Sequence, residues 1–298
     1  MKFKIYLIGL FKISIFLLSV GFLLYILLNN YQTIKNNELF DRKYIIMEIL
    51  ILSILYAFVF VFVAIAWKSI LENLSKSKLS VVLIWIWLKA NIYKYLPGNI
   101  FHYAGRHILS KKMGINHKIL IKSNIVEILL MLTTSLLISS SILLLIYDFN
   151  IDEYLSIINK NVIYGGLFIY GIILISLSKY KNINFLFYKN TIIYYCVFFV
   201  GIGFLAYIVL NYEMGIQCSF LMMTAIYTFA WLVGFVTPGA PGGIGVRESI
   251  FVVFSHGLLS ISDALVLSMV LRISNIIGEI ILFVIAERML IKYNKELK

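Results

Sequence analysis

The residues best suited to binding chemistry fall in two short segments that share one pattern. Each segment has a Pro-Gly pair, at 97–98 or 238–239, followed after seven intervening residues by Arg106 or Arg247. All three prolines of the chain and two of its five arginines lie in these segments. Because an arginine fork binds phosphate through two parallel hydrogen bonds, the pattern predicts two related anion sites.

The second segment, at 238–258, opens with a run rich in glycine. Its prolines remove backbone donors, so the preceding helix is predicted to stop at Thr237. Its glycines permit positive φ, and a short helix is predicted to restart near Val246 with its positive end free for an anion. Glu248 is expected to pair with Arg247 or with a lysine elsewhere. The alternative is a structural helix break that carries an Arg–Glu pair.

The first segment, at 97–116, has the same break with fewer glycines. Lys94, His102 and His107 add hydrogen-bond donors in and just before it. The histidines at 102, 107 and 117 are not spaced as a helical ligand pair, and no cysteine or carboxylate completes a set. The sequence therefore predicts no metal site and no other cofactor.

Polar side chains also recur at helical spacing inside two apolar stretches. These stripes consist of Asn124, Glu127 and Thr134, and of Ser268, Arg272, Asn275 and Glu279. A charge inside a bilayer costs at least about 2.5–3.5 kcal/mol, so it must face partners or water. Two interpretations stay open: the charged residues line a polar cavity beside Arg106 and Arg247, or Arg272 pairs with Glu127 or Glu279 and locks two helices together.

The elements that must position these residues are membrane helices. The 298 residues are 61% hydrophobic and 13% charged, which excludes a soluble globular domain and a disordered chain. Two cysteines do not form a disulfide framework. Long apolar runs favour helices over a barrel. Eight runs are long enough to cross a bilayer: 5–28, 45–67, 80–96, 119–147, 162–178, 191–211, 219–237 and 260–286.

The two halves of the chain have the pattern of inverted repeats. The register that aligns the two Pro-Gly pairs also aligns the start of 119–147 with the start of 260–286. We predict an all-α polytopic membrane protein with one integral domain, 1–298, and repeats at about 1–147 and 148–298. Its eight long helices are joined by two short Pro/Gly-broken segments that either cross the membrane or re-enter it.

The net charge of +12 is expected to report topology. If the broken segments cross, the lysines near both termini and at 111–112 lie on the cytoplasmic side, as the positive-inside rule requires. The expected location is the bacterial cytoplasmic membrane, with both termini inside. Nucleic-acid binding is not expected, because the chain has no basic soluble module.

The runs YLPGN…GR and TPGAPGGIGVRE resemble the transmembrane region of the lysylphosphatidylglycerol synthetase/flippase family over nearly the whole chain. The resemblance implies movement of an aminoacylated phospholipid, or a related lipid, between leaflets. The aminoacyl-transfer domain that some members carry after this region is not in the chain, so no lysyl transfer is expected. The substrate-binding positions that the resemblance implies are Pro97, Gly98, Asn99, Arg106, Pro238, Gly239, Pro241, Gly242, Gly243, Gly245, Arg247 and Glu248.

Three functional hypotheses follow. The first is a flippase-like translocase for an anionic or phosphate-bearing lipid, such as an aminoacyl-phospholipid or a polyprenyl-linked glycolipid. The second is a lipid-modifying glycosyl- or headgroup transferase with His102 or Glu248 as base. The third is a non-catalytic subunit of envelope-polymer assembly. The expected partners are a membrane lipid and the bilayer, while a homo-oligomer or a lipid-synthesising enzyme stays open. The predicted cavity-lining residues are Lys94, His102, Glu127, Arg272, Asn275 and Glu279.

Overall fold

The computed structural model describes residues 44–95, 100–148, 188–237 and 240–296, with the isolated positions 28, 31 and 165. Every element in these ranges is a helix. The predicted spans at 5–28 and 162–178 lie outside the described residues, apart from Leu28 and Gly165. Five predicted site residues also lie outside them: Pro97, Gly98, Asn99, Pro238 and Gly239.

The described helices form two sets that follow the same order. The first set is α1 (Ile45–Ser75), α2 (Val82–Asn91) with a 3₁₀ turn at Ile92–Tyr95, α3 (Phe101–Lys111) and α4 (His117–Asp148). The second set is α5 (Lys189–Ile208) with a π-helical turn at Val209–Glu213, α6 (Phe220–Val236), a 3₁₀ turn at Pro241–Gly243, α7 (Val246–Phe254) and α8 (Ile261–Glu296). We call the gap between Tyr95 and Phe101 the first break, and the gap between Val236 and Val246 the second break.

Among the described residues, four helices are long and apolar enough to cross a membrane, as in an integral membrane protein. They are Ile45–Ser75, His117–Leu143, Lys189–Glu213 and Ile261–Lys295. They confirm four of the six predicted spans that fall in the described ranges. Of the other two, 219–237 forms the shorter apolar helix Phe220–Val236.

The prediction of a long span at 80–96 is wrong. Helix α2 has only 10 residues and gives way to the 3₁₀ turn at Ile92–Tyr95. The cause lies in the local sequence, because polar Asn91 and Lys94 interrupt the apolar run. The proline at 97 also disfavours helical geometry in the residue before it.

The two sets interlock through their long helices. Helix α1 packs along α5, α8 packs on α2, and α4 packs on α6, so the last helix of each set contacts the second helix of the other. Phe60 and Phe198 meet edge to face at 5.7 Å at the centre. A Cβ atom added to Gly278 would lie 2.6 Å from the carbonyl oxygen of Ser53, which shows how closely α8 approaches α1.

The second break has the geometry that its glycines predict. Helix α6 ends at Val236 and α7 begins at Val246, one residue from the predicted end and at the predicted restart. Between them Gly242, Gly243 and Gly245 have φ of 59°, 76° and 83°, which only glycine adopts at low cost.

The start of α7 differs from the sequence prediction in one respect. The N–H of Gly245 donates to Glu248 Oε2 at 2.8 Å, so the helix caps its own first turn. Glu248 therefore takes part of the positive end that was expected to stay free for an anion.

Candidate functional site

A cavity of about 50 Å³ lies where the 3₁₀ turn before the first break meets the second break. Tyr95, which precedes the first break, contacts the second break, since a Cβ on Gly242 would lie 2.9 Å from its ring. Polar wall residues come from both sets of helices: Asn91, Lys94, His102, Arg106 and Glu127 from the first, and Arg247 from the second. Aromatic rings form much of the remaining wall: Phe60, Trp87, Tyr103, Trp231 and Phe235.

Arg106 is held through both of its Nη atoms, while its buried Nε has no hydrogen-bond partner. Its Nη1 donates to Glu127 Oε1 at 2.9 Å, and its Nη2 pairs with Glu127 Oε2 and donates to Asn124 Oδ1 at 2.8 Å. Trp87 Nε1 donates to the same carboxylate at 2.8 Å, and the guanidinium lies 4.6 Å from the ring centroid of Trp67. Both side chains of the pair are only 3% exposed. Arg106 and Glu127 thus form a buried ion pair that joins α3 to α4.

Glu279 on α8 forms a second polar cluster. Its carboxylate accepts hydrogen bonds from Tyr56 Oη at 3.0 Å, Asn91 Nδ2 at 3.1 Å and Lys94 Nζ at 2.6 Å. The Lys94 ammonium is therefore compensated. The contact also ties the 3₁₀ turn before the first break to the last helix of the second set.

Arg272 holds the second break. Its Nη2 donates to the carbonyl oxygen of Gly242 at 2.9 Å, and its Nε lies 3.6 Å from Glu248 Oε1. The hypothesis that Arg272 pairs with Glu127 or Glu279 is therefore wrong, because both glutamates bind other cations. One turn further along α8, Asn275 Nδ2 donates to Tyr227 Oη at 3.4 Å.

Arg247 is placed differently from the other cations. Its guanidinium lies 5.0 Å from the ring centroid of Trp231 and forms no ion pair or hydrogen bond with another described residue. Its buried Nε is unpaired, as are those of Arg106 and Arg272. Its side chain packs directly on two glycines that leave room for it. A Cβ on Gly234 would lie 2.3 Å from Arg247 Cγ, and a Cβ on Gly243 would lie 2.8 Å from Arg247 Nε. The expected pair between Arg247 and Glu248 is not formed, since Glu248 faces Arg272.

Three of the four cationic side chains around the cavity form ion pairs. Three ion pairs form: Arg106–Glu127, Lys94–Glu279 and Arg272–Glu248. Within the described ranges, the remaining cation is Arg247. The residues at 96–99 and 238–239 contain no ionisable side chain. An uncompensated guanidinium in a wall rich in aromatic rings attracts an anion strongly, because little water screens it.

The structure brings most of the described candidate residues together. The cavity wall contains Lys94, His102, Arg106, Glu127, Gly242, Gly243 and Arg247. A second layer behind it contains Glu248, Arg272, Asn275 and Glu279. Pro241 begins the 3₁₀ turn of the second break, and Gly245 caps α7.

Four residues of this site are absent from the sequence-based set: Tyr56, Trp87, Asn91 and Trp231. Trp87 belongs to the site because its indole N–H donates to Glu127. A sequence signal exists for Asn91, which lies three residues before Lys94. The two tryptophans and Tyr56 carry no such signal, since an aromatic residue in an apolar run is typical of packing.

His107 and His117 lie outside the cavity, at the joint between α3 and α4. Their Nε2 and Nδ1 atoms are 2.7 Å apart, so the two imidazoles share a hydrogen bond. In the part of the chain that the structure describes, no three histidine, cysteine or acidic side chains cluster as metal ligands.

The chemistry available at the cavity follows from its geometry. Three ion pairs join the helices around the cavity, and one guanidinium without an ion-pair partner among the described residues lines it. This arrangement can bind a small anionic group. No protein-family model matches the chain, and no curated protein matches it either.

Proposed function

We propose that this protein is a lipid translocase that receives an anionic, phosphate-bearing headgroup in the cavity between its two breaks. The observation that carries the proposal is Arg247, which lines the cavity with no hydrogen-bond or ion-pair partner among the described residues. A phosphate at its fork would supply the missing charge and acceptors. The aromatic rings of the wall would contact the part of the lipid next to the phosphate.

The two sets of helices are proposed to be inverted repeats. Support comes from their equal helix order and from the reciprocal packing of α4 on α6 and of α8 on α2. Paired Pro/Gly breaks at matching positions are typical of transporter substrate sites. Transport would then proceed by rocking of one set against the other, with both termini on the cytoplasmic face of a bacterial cytoplasmic membrane.

The proposal divides the roles of the two arginines. The sequence hypothesis made Arg106 and Arg247 equal headgroup anchors. The geometry favours Arg247 as the anchor, because both Nη atoms of Arg106 are already bound. The lipid would be an anionic phosphodiester, such as phosphatidylglycerol or a polyprenyl-linked glycolipid with one phosphate. The aminoacyl-phospholipid that the family resemblance implies is less suited to Arg247, because its ammonium group cancels the charge of its phosphate.

The test is translocation in reconstituted liposomes. Fluorescent phosphatidylglycerol is placed in both leaflets, and a membrane-impermeant reductant reports how fast inner-leaflet lipid reaches the outside. The Arg247→Gln variant should reduce this rate to that of protein-free liposomes. Arg288→Gln changes an exposed arginine near the end of α8 and should leave it unchanged. Full translocation by Arg247→Gln would refute the headgroup site.

A lipid-modifying transferase is a second candidate, favoured by His102. This residue lines the cavity, and its Nδ1 atom is buried without a hydrogen-bond partner. A neutral imidazole in that position has the chemistry of a general base. Glu248 is less suited to that role because Gly245 and Arg272 occupy its carboxylate. A chemically altered lipid, found by mass spectrometry with the native chain but not with His102→Gln, would favour this candidate.

A further inference from the structure

The charge balance of the cavity limits the headgroup that it can hold. Four cationic side chains stand against three carboxylates, so the described surroundings have one positive charge in excess. We propose, on the basis of the proposed function, that the cavity selects a headgroup with one negative charge, as in a phosphodiester, and discriminates against diphosphates.

The paired cations cannot serve a second phosphate without loss. Arg106 would have to leave Glu127, and Lys94 would have to leave Glu279, where Nζ and Oε1 are 2.6 Å apart. Either move leaves a carboxylate that is only 3% exposed without its cation. A second negative charge would therefore enter the cavity uncompensated.

The packing of Arg247 imposes the same limit. Trp231 covers one face of the guanidinium, and the backbone of Gly234 and Gly243 surrounds Cγ and Nε. This packing leaves the two Nη atoms of Arg247 to contact a ligand. One fork matches two oxygens of one phosphate.

Binding of defined lipids to the purified full chain in detergent, measured by native mass spectrometry, tests the inference. The probes are dioleoyl phosphatidylglycerol with one net negative charge, dioleoyl phosphatidylcholine with none, and geranylgeranyl diphosphate. Phosphatidylglycerol should bind at least about tenfold more tightly than either of the others. Arg247→Gln should weaken its binding by about tenfold or more, while Arg288→Gln should change it less than about twofold.

Two variants raise the charge excess to two and should reverse the preference. Glu279→Gln frees Lys94, and Glu127→Gln frees Arg106. Either variant should strengthen diphosphate binding by about tenfold or more. Two variants are used because one of them can fail to fold, and thermal unfolding of each shows which sample is interpretable.

The outcomes separate this inference from the proposed function. Tighter Arg247-dependent binding of diphosphate to the native chain would overturn the charge limit but leave the headgroup site in place. An unchanged preference in a folded Glu279→Gln or Glu127→Gln variant would also overturn it. Phosphatidylglycerol binding that is insensitive to Arg247→Gln would instead refute the headgroup site itself.

Discussion

The two breaks place an arginine at equivalent positions and use it in opposite ways. Arg106 and Arg247 coincide when the two Pro-Gly pairs are aligned. Each packs on a tryptophan, with 4.6 Å to the Trp67 centroid and 5.0 Å to the Trp231 centroid. Arg106 has a carboxylate and an amide as partners. Arg247 has neither within the described ranges.

The difference between the breaks is encoded in the sequence. In the register that aligns the Pro-Gly pairs, Glu127 corresponds to Ser268 and Asn124 corresponds to Leu265. The hydroxyl of Ser268 donates to the backbone carbonyl of Leu265 at 2.8 Å, within its own helix. The second half therefore lacks the side chains that satisfy the arginine of the first half. One break pairs its arginine with a carboxylate, and the other leaves its arginine without one among the described residues.

The largest expected effect comes from removing the charge of Glu127. Glu127→Gln leaves Arg106 buried without a carboxylate, so the free energy of unfolding should fall by about 3–5 kcal/mol. Arg247→Gln breaks no ion pair and should change stability by less than about 1 kcal/mol. Unfolding in mixed detergent micelles, followed by circular dichroism, measures both. Equal destabilisation by the two variants would remove the distinction between the breaks.

The next prediction concerns a variant that gives the second break the arginine–carboxylate pair of the first. Ser268→Glu supplies the carboxylate that the second half lacks, and we expect it to pair with Arg247. Phosphatidylglycerol binding should fall by about tenfold, although Arg247 itself is unchanged.

The matched control for this conversion is the double variant Ser268→Glu/Arg247→Gln. It leaves the new carboxylate without a cation, so it should be less stable than Ser268→Glu alone by about 3 kcal/mol. Equal stability of the single and double variants would show that position 268 does not face Arg247.

The sequence predicted the breaks and four long spans because these features are local. Proline and glycine set where α6 ends and α7 restarts, and continuous apolar runs identify the long helices. The ion pairs were not predicted, since Lys94 and Glu279 are 185 residues apart and only the fold brings them together. That Arg247 lacks a partner could have been noticed in the register that aligns the two Pro-Gly pairs, where Ser268 corresponds to Glu127.

A smaller effect is expected from filling the slot around Arg247. The added methyl of Gly234→Ala would lie 2.3 Å from Arg247 Cγ, so the guanidinium must shift from the ring of Trp231. Phosphatidylglycerol affinity should fall by about threefold to tenfold, with a stability cost of about 1–3 kcal/mol. Gly105→Ala is the control, because its methyl would meet the ring of Tyr93 in the first half instead. Loss of binding in Gly105→Ala but not in Gly234→Ala would contradict the proposed role of Arg247.

The smallest effect concerns the joint between α3 and α4, which we call the first joint. In the first half, partial burial and then the neighbouring His117 and Lys111 lower the pKa of His107 below its ordinary value. The folded chain therefore binds this proton less readily than the unfolded chain. Stability contributed by the neutral imidazole is full above the ordinary histidine pKa of about 6.5 and is lost as the pH falls below it.

This pH dependence is expected at the first joint, where His107 and His117 share a hydrogen bond. Between about pH 7 and pH 5, His107→Gln should reduce the loss of thermal stability seen in the native chain, because the weakly basic imidazole is gone. Thermal unfolding of both chains at the two pH values measures the difference. An equal loss in the native chain and in His107→Gln would show that this imidazole does not make the first joint sensitive to acid.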